Sequence, residues 1–111
     1  MLVVSDRSRI RVLAAMLASL VVVSSCSVSR PASDSTGEQI YQQLCASCHS
    51  EDLTGGVGPP LGPGSNASEQ PDEFLRVTIV NGRGRMPSFS SSLDSEQLDR
   101  LIGYLREVQG K

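Results

Sequence analysis

The segment Cys45-Ala46-Ser47-Cys48-His49 constrains this chain more than any other part of it, because it holds two thiols and the chain's only histidine. The spacing C-x-x-C-H is the attachment pattern of a c-type haem. On one helical turn, the two thiols can each add to one vinyl group along one edge of the macrocycle, and the next imidazole then points at the iron. The sequence therefore predicts one covalent haem c on Cys45 and Cys48, with His49 as an iron ligand.

Three other chemistries also use closely spaced cysteines. A redox dithiol shares the C-x-x-C spacing but belongs in a βαβ context, and the chain has no strand-like alternation. A structural zinc site needs four ligands, whereas this segment supplies three and no second cysteine pair exists. A plain disulfide explains neither the adjacent histidine nor the long loop that follows. Haem attachment accounts for all of these features.

The N-terminal part has the organisation of an export signal. Three arginines among the first 11 residues precede an apolar or small-residue run over residues 12–23. This run is too short for a membrane span, which needs about 20 residues. We therefore expect residues 1–25 to be a signal peptide and the domain to be exported, to the periplasm or the outer face of the cytoplasmic membrane.

Residues 23–26, VSSC, resemble a bacterial lipobox. This makes Cys26 the expected lipidation site and predicts a membrane-anchored lipoprotein. An ordinary cleaved signal and an uncleaved anchor are the alternatives. The serine-rich, polar residues 26–36 then predict a flexible tether, followed by a domain over residues 37–111.

The charge balance changes once the predicted signal is set aside. The whole chain has 10 basic and 12 acidic residues, and without three arginines and one aspartate of the signal 7 and 11 remain. The exported part is thus near −4 before any cofactor. This argues against a nucleic-acid partner, because phosphates favour a basic surface.

The sequence patterns predict an all-α fold. A capping box, Thr36 with Gln39 or Ser35 with Glu38, predicts a helix that continues through the C-x-x-C-H segment to about Ser50. A loop rich in glycine and proline follows over residues 51–70. A structureless loop of this length is unusual in a small domain, and wrapping a buried cofactor is a good reason for one.

Two further helices are predicted after this loop. Pro71 suits the first position of one, and Asn81-Gly82 suits its end. The last helix begins near Asp94 and carries an apolar stripe of Leu98, Leu101, Ile102, Leu105 and Val108. With no tryptophan, two phenylalanines and two tyrosines, a domain of about 75 residues supplies only about 3–5 kcal/mol from its core. A buried haem is expected to complete that core.

Met86 is the only methionine after the predicted signal. It lies in a Gly84-Arg85-Met86-Pro87 loop just past a predicted helix end, where a thioether can turn inward. A lone methionine usually fills a gap in a core. Its uniqueness, its loop position and its distance along the chain from Cys48 favour Met86 as the second axial ligand. An open or water-bound iron is the alternative.

Four segments resemble, in order, a class I monohaem cytochrome c similar to small bacterial lipoprotein cytochromes c-551: GEQIYQQLCASCH, GVGPPLG, VNGRGRMPSF and LDRLIGYLREV. The resemblance implies three to four helices wrapped around one haem, in a monomer. It also implies a one-electron carrier between respiratory or photosynthetic membrane complexes, such as a quinol–cytochrome c oxidoreductase and a terminal oxidase, and no catalytic residues. The alternatives are a haem subunit or domain partner of a larger oxidoreductase complex, or a small haem enzyme or sensor if Met86 does not ligate.

The resemblance also implies roles for single residues around the haem. The carbonyl of Pro59 would accept a hydrogen bond from the imidazole of His49, and Leu61 would pack on the haem face. Arg83 or Arg85 could pair with a haem propionate, and each could equally be a solvated loop charge.

Two more implications concern the polypeptide itself. Gly37 and Tyr41 would lie where the first helix crosses the last, close to Tyr104. Ser50 departs from the family pattern, which commonly has glycine after the histidine.

Overall fold

The computed structural model describes residues 30–111, so the predicted signal peptide and Cys26 lie outside the described residues. Residues 30–111 form five helices: α1 (Gly37–Leu44), α2 (Ala46–His49), α3 (Asn66–Glu69), α4 (Asp72–Asn81) and α5 (Ser95–Gln109). The described residues contain no strand, and their one isolated β-bridge joins Arg83 and Met86. The predicted all-α class is confirmed. No helix within residues 30–111 is both long and apolar enough to cross a membrane.

The start of α1 follows the first of the two predicted capping boxes. The Thr36 hydroxyl accepts from the Gln39 N–H at 3.2 Å, and the Gln39 side chain accepts from the Thr36 N–H at 2.8 Å. The helix does not continue unbroken through the C-x-x-C-H segment, as the sequence predicted. It ends at Leu44, and Cys45, with φ −113°, separates it from the short α2. This break gives the two cysteines different surroundings.

The crossing of α1 over α5 organises the domain. A Cβ on Gly37 would lie 2.1 Å from the carbonyl oxygen of Arg100 and 2.7 Å from Cβ of Tyr104, so only glycine permits this approach. The rings of Tyr41 and Tyr104 meet beside it, with centroids 5.7 Å apart and planes inclined by 49°. The positions implied for Gly37, Tyr41 and Tyr104 are therefore correct.

The core consists of apolar side chains from α1, α4, α5 and the loop between α2 and α3: Ile40, Tyr41, Leu44, Leu53, Leu75, Ile79, Leu98, Leu101, Ile102 and Leu105. Four of the five residues in the predicted α5 stripe are buried, and Val108 packs against their edge. The sequence pattern therefore identified the inner face of α5.

Residues 30–36, which composition assigned to the flexible tether, lie against α5. The Gln97 amide donates to the carbonyl oxygens of Pro31 and Ala32, both at 3.1 Å. Arg100 Nε donates to the carbonyl oxygen of Ser35 at 2.9 Å. An extended polar segment needs donors for its carbonyls, and two side chains one turn apart on α5 supply them. In the structure this stretch is part of the folded domain.

The loop predicted over residues 51–70 also contains more structure than expected. Ser65 caps the short α3, its hydroxyl accepting from the Ser68 N–H at 3.2 Å. Arg106 then fixes the end of the loop to α5. Its Nη2 donates to the carbonyl oxygen of Gln70 at 2.5 Å, and its Nε to Asp72 at 2.7 Å. Hydrogen bonds from α5 therefore add to the apolar contacts that Leu53, Leu61 and Ala67 of this segment make with the core.

The boundaries of α4 and α5 lie close to the predicted ones. Pro71 is the N-cap of α4 instead of its first residue, and Gly82, with φ +74°, ends the helix. Asp94 and Gln97 form a reciprocal capping box at the start of α5, with bonds of 2.8 and 3.0 Å. Side chains therefore cap the start of α5, whereas a proline and a glycine mark the boundaries of α4.

We predict that Gly37→Ala lowers the free energy of unfolding by about 1–3 kcal/mol or more, because the new methyl group meets backbone that cannot move freely. Gly103→Ala is the matched control. It lies inside α5 with open space around its Cα, so it should raise stability by about 0.5–1 kcal/mol through helix propensity. Urea unfolding of the haem-loaded proteins measures the free energy of unfolding of both variants. An equal change in the two would contradict the requirement for glycine where α1 crosses α5.

Candidate haem site

The C-x-x-C-H turn presents its three chemical groups in different ways. The N–H groups of Cys48 and His49 both donate to the carbonyl oxygen of Cys45, at 3.1 and 3.0 Å, which winds the segment into α2. Cys45 is half-buried, Cys48 is exposed and the His49 side chain is buried. Burial, followed by the nearby Cys48 charge, raises the pKa of the Cys45 thiol to about 12. At neutral pH Cys45 therefore keeps its thiol proton until a haem is attached, and Cys45 and Cys48 form no disulfide with each other.

The loop after α2 folds back over this turn. The Gly55 N–H donates to the carbonyl oxygen of His49 at 2.9 Å, and the Gly58 N–H donates to that of Cys48 at 2.8 Å. These two bonds bring Pro59 against the imidazole, whose Nδ1 lies 2.7 Å from the Pro59 carbonyl oxygen. A carbonyl oxygen only accepts, so Nδ1 carries the proton and Nε2 of the neutral ring keeps its lone pair. The ring is therefore presented as a donor to a metal.

Gly58 permits this close approach of loop and ring. A Cβ at this position would lie 2.7 Å from Cε1 and 2.8 Å from Nδ1 of His49. Sequence reasoning implied the bond to Pro59 but assigned no role to Gly58. The signal was present, since a glycine before two prolines in the GVGPPLG segment suggests a backbone packed against a side chain.

Met86 lies in a tight turn after α4. The Arg83 N–H donates to the Met86 carbonyl oxygen at 3.1 Å, and the Met86 N–H donates to that of Arg83 at 3.0 Å. Gly82 starts the turn, and a Cβ there would lie 2.5 Å from the Met86 carbonyl oxygen. The Met86 side chain is half-buried against the core. Leu61, in the loop before α3, packs against the same core.

Arg83 and Arg85 are both exposed. The Arg83 guanidinium lies over the ring of Phe74, 5.5 Å from its centroid, which is a cation–π distance. Arg83 thus has a partner within the protein, a contact that the sequence did not reveal.

Several apolar side chains pack against the core and still leave part of their surface uncovered: Cys45, Ala46, Leu61, Phe74, Val80, Met86, Phe89 and Leu93. They come from α2 and the residue before it, from α4, and from the loops that follow α2 and α4. An apolar macrocycle fits such a set. The residues present also match covalent haem chemically, with two free thiols, an imidazole with an available Nε2 and a thioether.

Ser50, directly after His49, has an unusual backbone conformation, with φ +68° and ψ 152°. Its hydroxyl donates to the carbonyl oxygen of Gly55 at 2.5 Å. Its own carbonyl oxygen accepts from the Tyr41 hydroxyl at 2.6 Å. The sequence marked Ser50 only as a departure from glycine and gave no indication of these bonds.

The fold and this donor set define a small all-α protein with covalently attached haem. The chain belongs to the cytochrome c family described as "Cytochrome C oxidase, cbb3-type, subunit III", whose model matches residues 32–105. It is thus a small monohaem cytochrome c, and its cofactor is haem c.

Similar proteins include both small cytochromes and parts of larger enzymes. Cytochrome c-551 of Bacillus subtilis is 44% identical over 57 residues, which are 50% of this chain and 48% of that protein. Cytochrome c55X of Stutzerimonas stutzeri is 32% identical over 95 residues, 82% of this chain and 83% of that protein. One of the subunits of nicotinate dehydrogenase from Pseudomonas putida is 36% identical over 83 residues, 65% of this chain but 7% of that protein.

A solved structure shows the same kind of fold. Dihydro-haem d1 dehydrogenase NirN, in complex with DHE, aligns with a TM-score of 0.58 and 36% identity, over 63% of this chain and 15% of that chain. The domain therefore occurs alone and inside longer proteins, and this chain spans less than half of cytochrome c-551 and a small part of the two dehydrogenases.

We predict that Gly58→Ala lowers the free energy of unfolding by about 1–3 kcal/mol, because the added methyl group pushes the loop away from the His49 ring. Gly56→Ala is the control in the same loop. Its Cβ would lie 3.4 Å from the nearest atom, the carbonyl oxygen of Cys48, so stability should change by no more than about 0.5 kcal/mol. Denaturant titration compares them, and an equal loss in both variants would contradict the contact with the ring.

Proposed function

We propose that this chain is an exported one-electron carrier in which His49 and Met86 are the axial ligands of a haem held by Cys45 and Cys48. The observation that carries the proposal is the 2.7 Å contact between His49 Nδ1 and the Pro59 carbonyl oxygen. It supports ligation through Nε2, because the proton is on Nδ1 and the lone pair of Nε2 stays free. A hydrogen bond to the non-ligating nitrogen also orients the ring and raises its basicity.

Met86 is proposed as the second ligand because of its side chain and its position. Its turn is closed by two backbone hydrogen bonds and tied to α4 nearby, where the Phe89 N–H donates to the carbonyl oxygen of Ile79 at 3.0 Å. Such a turn can hold a thioether in one place during oxidation and reduction. A methionine opposite a histidine raises the reduction potential, and filling both axial positions excludes substrate.

When bound, the haem supplies the one-electron chemistry, and the polypeptide provides its environment. Cys45 and Cys48 would fix one edge by thioether bonds, and Leu61 would cover part of one face. Cys48 is exposed in the polypeptide, so the haem edge that it would hold would be accessible from that side. Electrons can then pass to a partner without the partner entering the domain.

A redox protein partner is part of this proposal. A quinol–cytochrome c oxidoreductase as donor and a terminal oxidase as acceptor suit an exported carrier. A second candidate, a haem subunit or domain partner of a larger oxidoreductase, is favoured by the similarity to parts of two dehydrogenases. The small haem enzyme or sensor would need an open sixth position, which Met86 would occupy.

We predict that Met86→Ala abolishes the far-red sulfur–iron band of the oxidised protein, lowers the reduction potential and lets the reduced iron bind carbon monoxide stoichiometrically. The parent protein should bind none at neutral pH. Met86→His is the control, because a second imidazole keeps the iron six-coordinate and low-spin while removing the sulfur. Absorption spectra and redox titration give all three results, and an unaltered Met86→Ala spectrum would exclude Met86 as a ligand.

We also propose that Cys26 is lipidated and holds the carrier at the outer face of the membrane. Cys26→Ser should then move the haem protein almost completely from the membrane fraction to the soluble one. Size-exclusion chromatography of the detergent-extracted parent should give a monomer in its micelle. Membrane retention of Cys26→Ser would refute the anchor, and co-elution with a much larger oxidoreductase would favour the subunit role.

A further inference from the structure

Ser50 has a backbone conformation that is nearly restricted to glycine. Its φ of +68° with ψ of 152° lies in a region where a Cβ meets neighbouring backbone atoms. Gly55, at φ +90°, shows how the same chain uses glycine where the dihedral is positive. Serine immediately after His49 is therefore unfavourable locally, unless its side chain makes a contact that glycine cannot make.

The contact is a hydrogen bond to the loop that covers the histidine. The Ser50 hydroxyl donates to the carbonyl oxygen of Gly55 at 2.5 Å, and the Gly55 N–H donates to the carbonyl oxygen of His49 at 2.9 Å. Both polar groups of Gly55 are thus bonded to two consecutive residues of the haem-attachment turn. Glycine at position 50 would lose the hydroxyl bond to the Gly55 carbonyl oxygen and keep the bond from the Gly55 N–H to His49.

The backbone of Ser50 is held from the other side by α1. The Tyr41 hydroxyl donates to the Ser50 carbonyl oxygen at 2.6 Å, and the Leu53 N–H donates to the same oxygen at 3.1 Å. The Tyr41 side chain is fully buried, and burial raises its pKa to about 12, so its hydroxyl keeps its proton at neutral pH. Ser50 therefore connects the rigid α1 to the loop.

From Gly55 the loop leads directly to the imidazole. The Gly56 N–H donates to the carbonyl oxygen of Gly58 at 2.9 Å, and the Gly58 N–H donates to that of Cys48 at 2.8 Å. The next residue is Pro59, whose carbonyl oxygen lies 2.7 Å from His49 Nδ1. A short, hydrogen-bonded stretch of backbone thus joins the anchoring bond at Ser50 to the acceptor of the histidine proton.

We propose that Ser50 is a positioning residue for His49: its hydroxyl anchors the loop over residues 55–59 and so holds the Pro59 carbonyl oxygen on the imidazole N–H. The inference rests on the proposed role of His49 as an iron ligand. The strength of that N–H bond sets the basicity of the ligand, so Ser50 acts on the reduction potential through two other residues. The unfavourable dihedral is offset by the bond that the hydroxyl adds.

Two substitutions at this position separate positioning from stability. Ser50→Gly removes the hydroxyl and the backbone strain, whereas Ser50→Ala removes the hydroxyl and keeps the strain. Because His49 is the only histidine, labelling with ¹⁵N-histidine gives one side-chain signal set in the reduced, haem-loaded protein. The exchange rate of its Nδ1 proton with solvent then reports the bond to Pro59 directly.

We expect both variants to exchange this proton about two- to tenfold faster than the parent, the effect of losing one hydrogen bond, with a shifted reduction potential. Their thermal stabilities should differ, with Ser50→Gly the more stable. Ser47→Ala is the control from the same turn: its exposed hydroxyl lies 3.9 Å from Cys48 Sγ and makes no bond to the loop over residues 55–59, so the His49 proton of this variant should exchange at the parent rate.

The positioning role would be overturned if the His49 Nδ1 proton exchanged at the parent rate in Ser50→Gly. It would also be overturned if the exchange rates of the two variants followed their thermal stabilities. Neither result would contradict ligation by His49. Failure of the ligation proposal would instead appear in the absorption spectrum of the parent protein. The parent protein would then lack a low-spin spectrum before any variant was measured.

Discussion

The hydrogen bond between His49 and Pro59 is the interaction on which the arrangement of the site depends. It joins the helical turn that carries the two thiols to the loop that follows, and it determines which ring nitrogen is free. The backbone bonds from Gly55 and Gly58 hold the loop in place, and the missing side chain at Gly58 lets it reach the ring. We expect a change in any of these parts to disturb the bond that orients the imidazole, because Gly55, Gly58 and Pro59 belong to one short loop that supplies its acceptor.

α5 gives the rest of the domain a fixed frame. Its inner face buries Leu98, Leu101, Ile102 and Leu105 against α1 and α4, and its polar side chains bind the chain on two sides. Gln97 and Arg100 hold the segment before α1, while Arg106 holds the loop before α4. In this domain with few aromatic residues, α5 therefore has two roles. Its apolar face packs in the core, and its polar side chains donate hydrogen bonds to the carbonyl groups of the irregular segments.

The sequence predicted those features that depend on neighbouring residues in the chain. One of the two possible capping boxes before α1, the start of the last helix near Asp94, the helix end at Gly82 and the buried stripe of α5 are local patterns, and the structure has them. It did not predict the break at Cys45 or the short α3. It also did not predict the packing of residues 30–36, which depends on hydrogen bonds to the distant residues Gln97 and Arg100. Within the site, the family resemblance implied the contact of Pro59 with His49. The glycine before two prolines could have suggested a close approach at Gly58. Its partner, the His49 ring, and the bonds of Ser50 could not be predicted, because they join segments that local patterns describe separately.

Electron transfer by such a protein favours a site that changes little between its two oxidation states. Filled axial positions exclude substrate, and a ring whose Nδ1 proton is held by a backbone carbonyl cannot rotate without losing that bond. The chain contributes this rigidity with backbone groups at Gly55, Gly58 and Pro59, and the close approach at Gly58 also requires that this residue has no side chain. Two side-chain hydroxyls add hydrogen bonds to this backbone: Tyr41 donates to the Ser50 carbonyl oxygen, and Ser50 donates to that of Gly55. A glycine after His49 would satisfy the backbone alone, so the serine at this position is best understood as part of the support for the proximal loop.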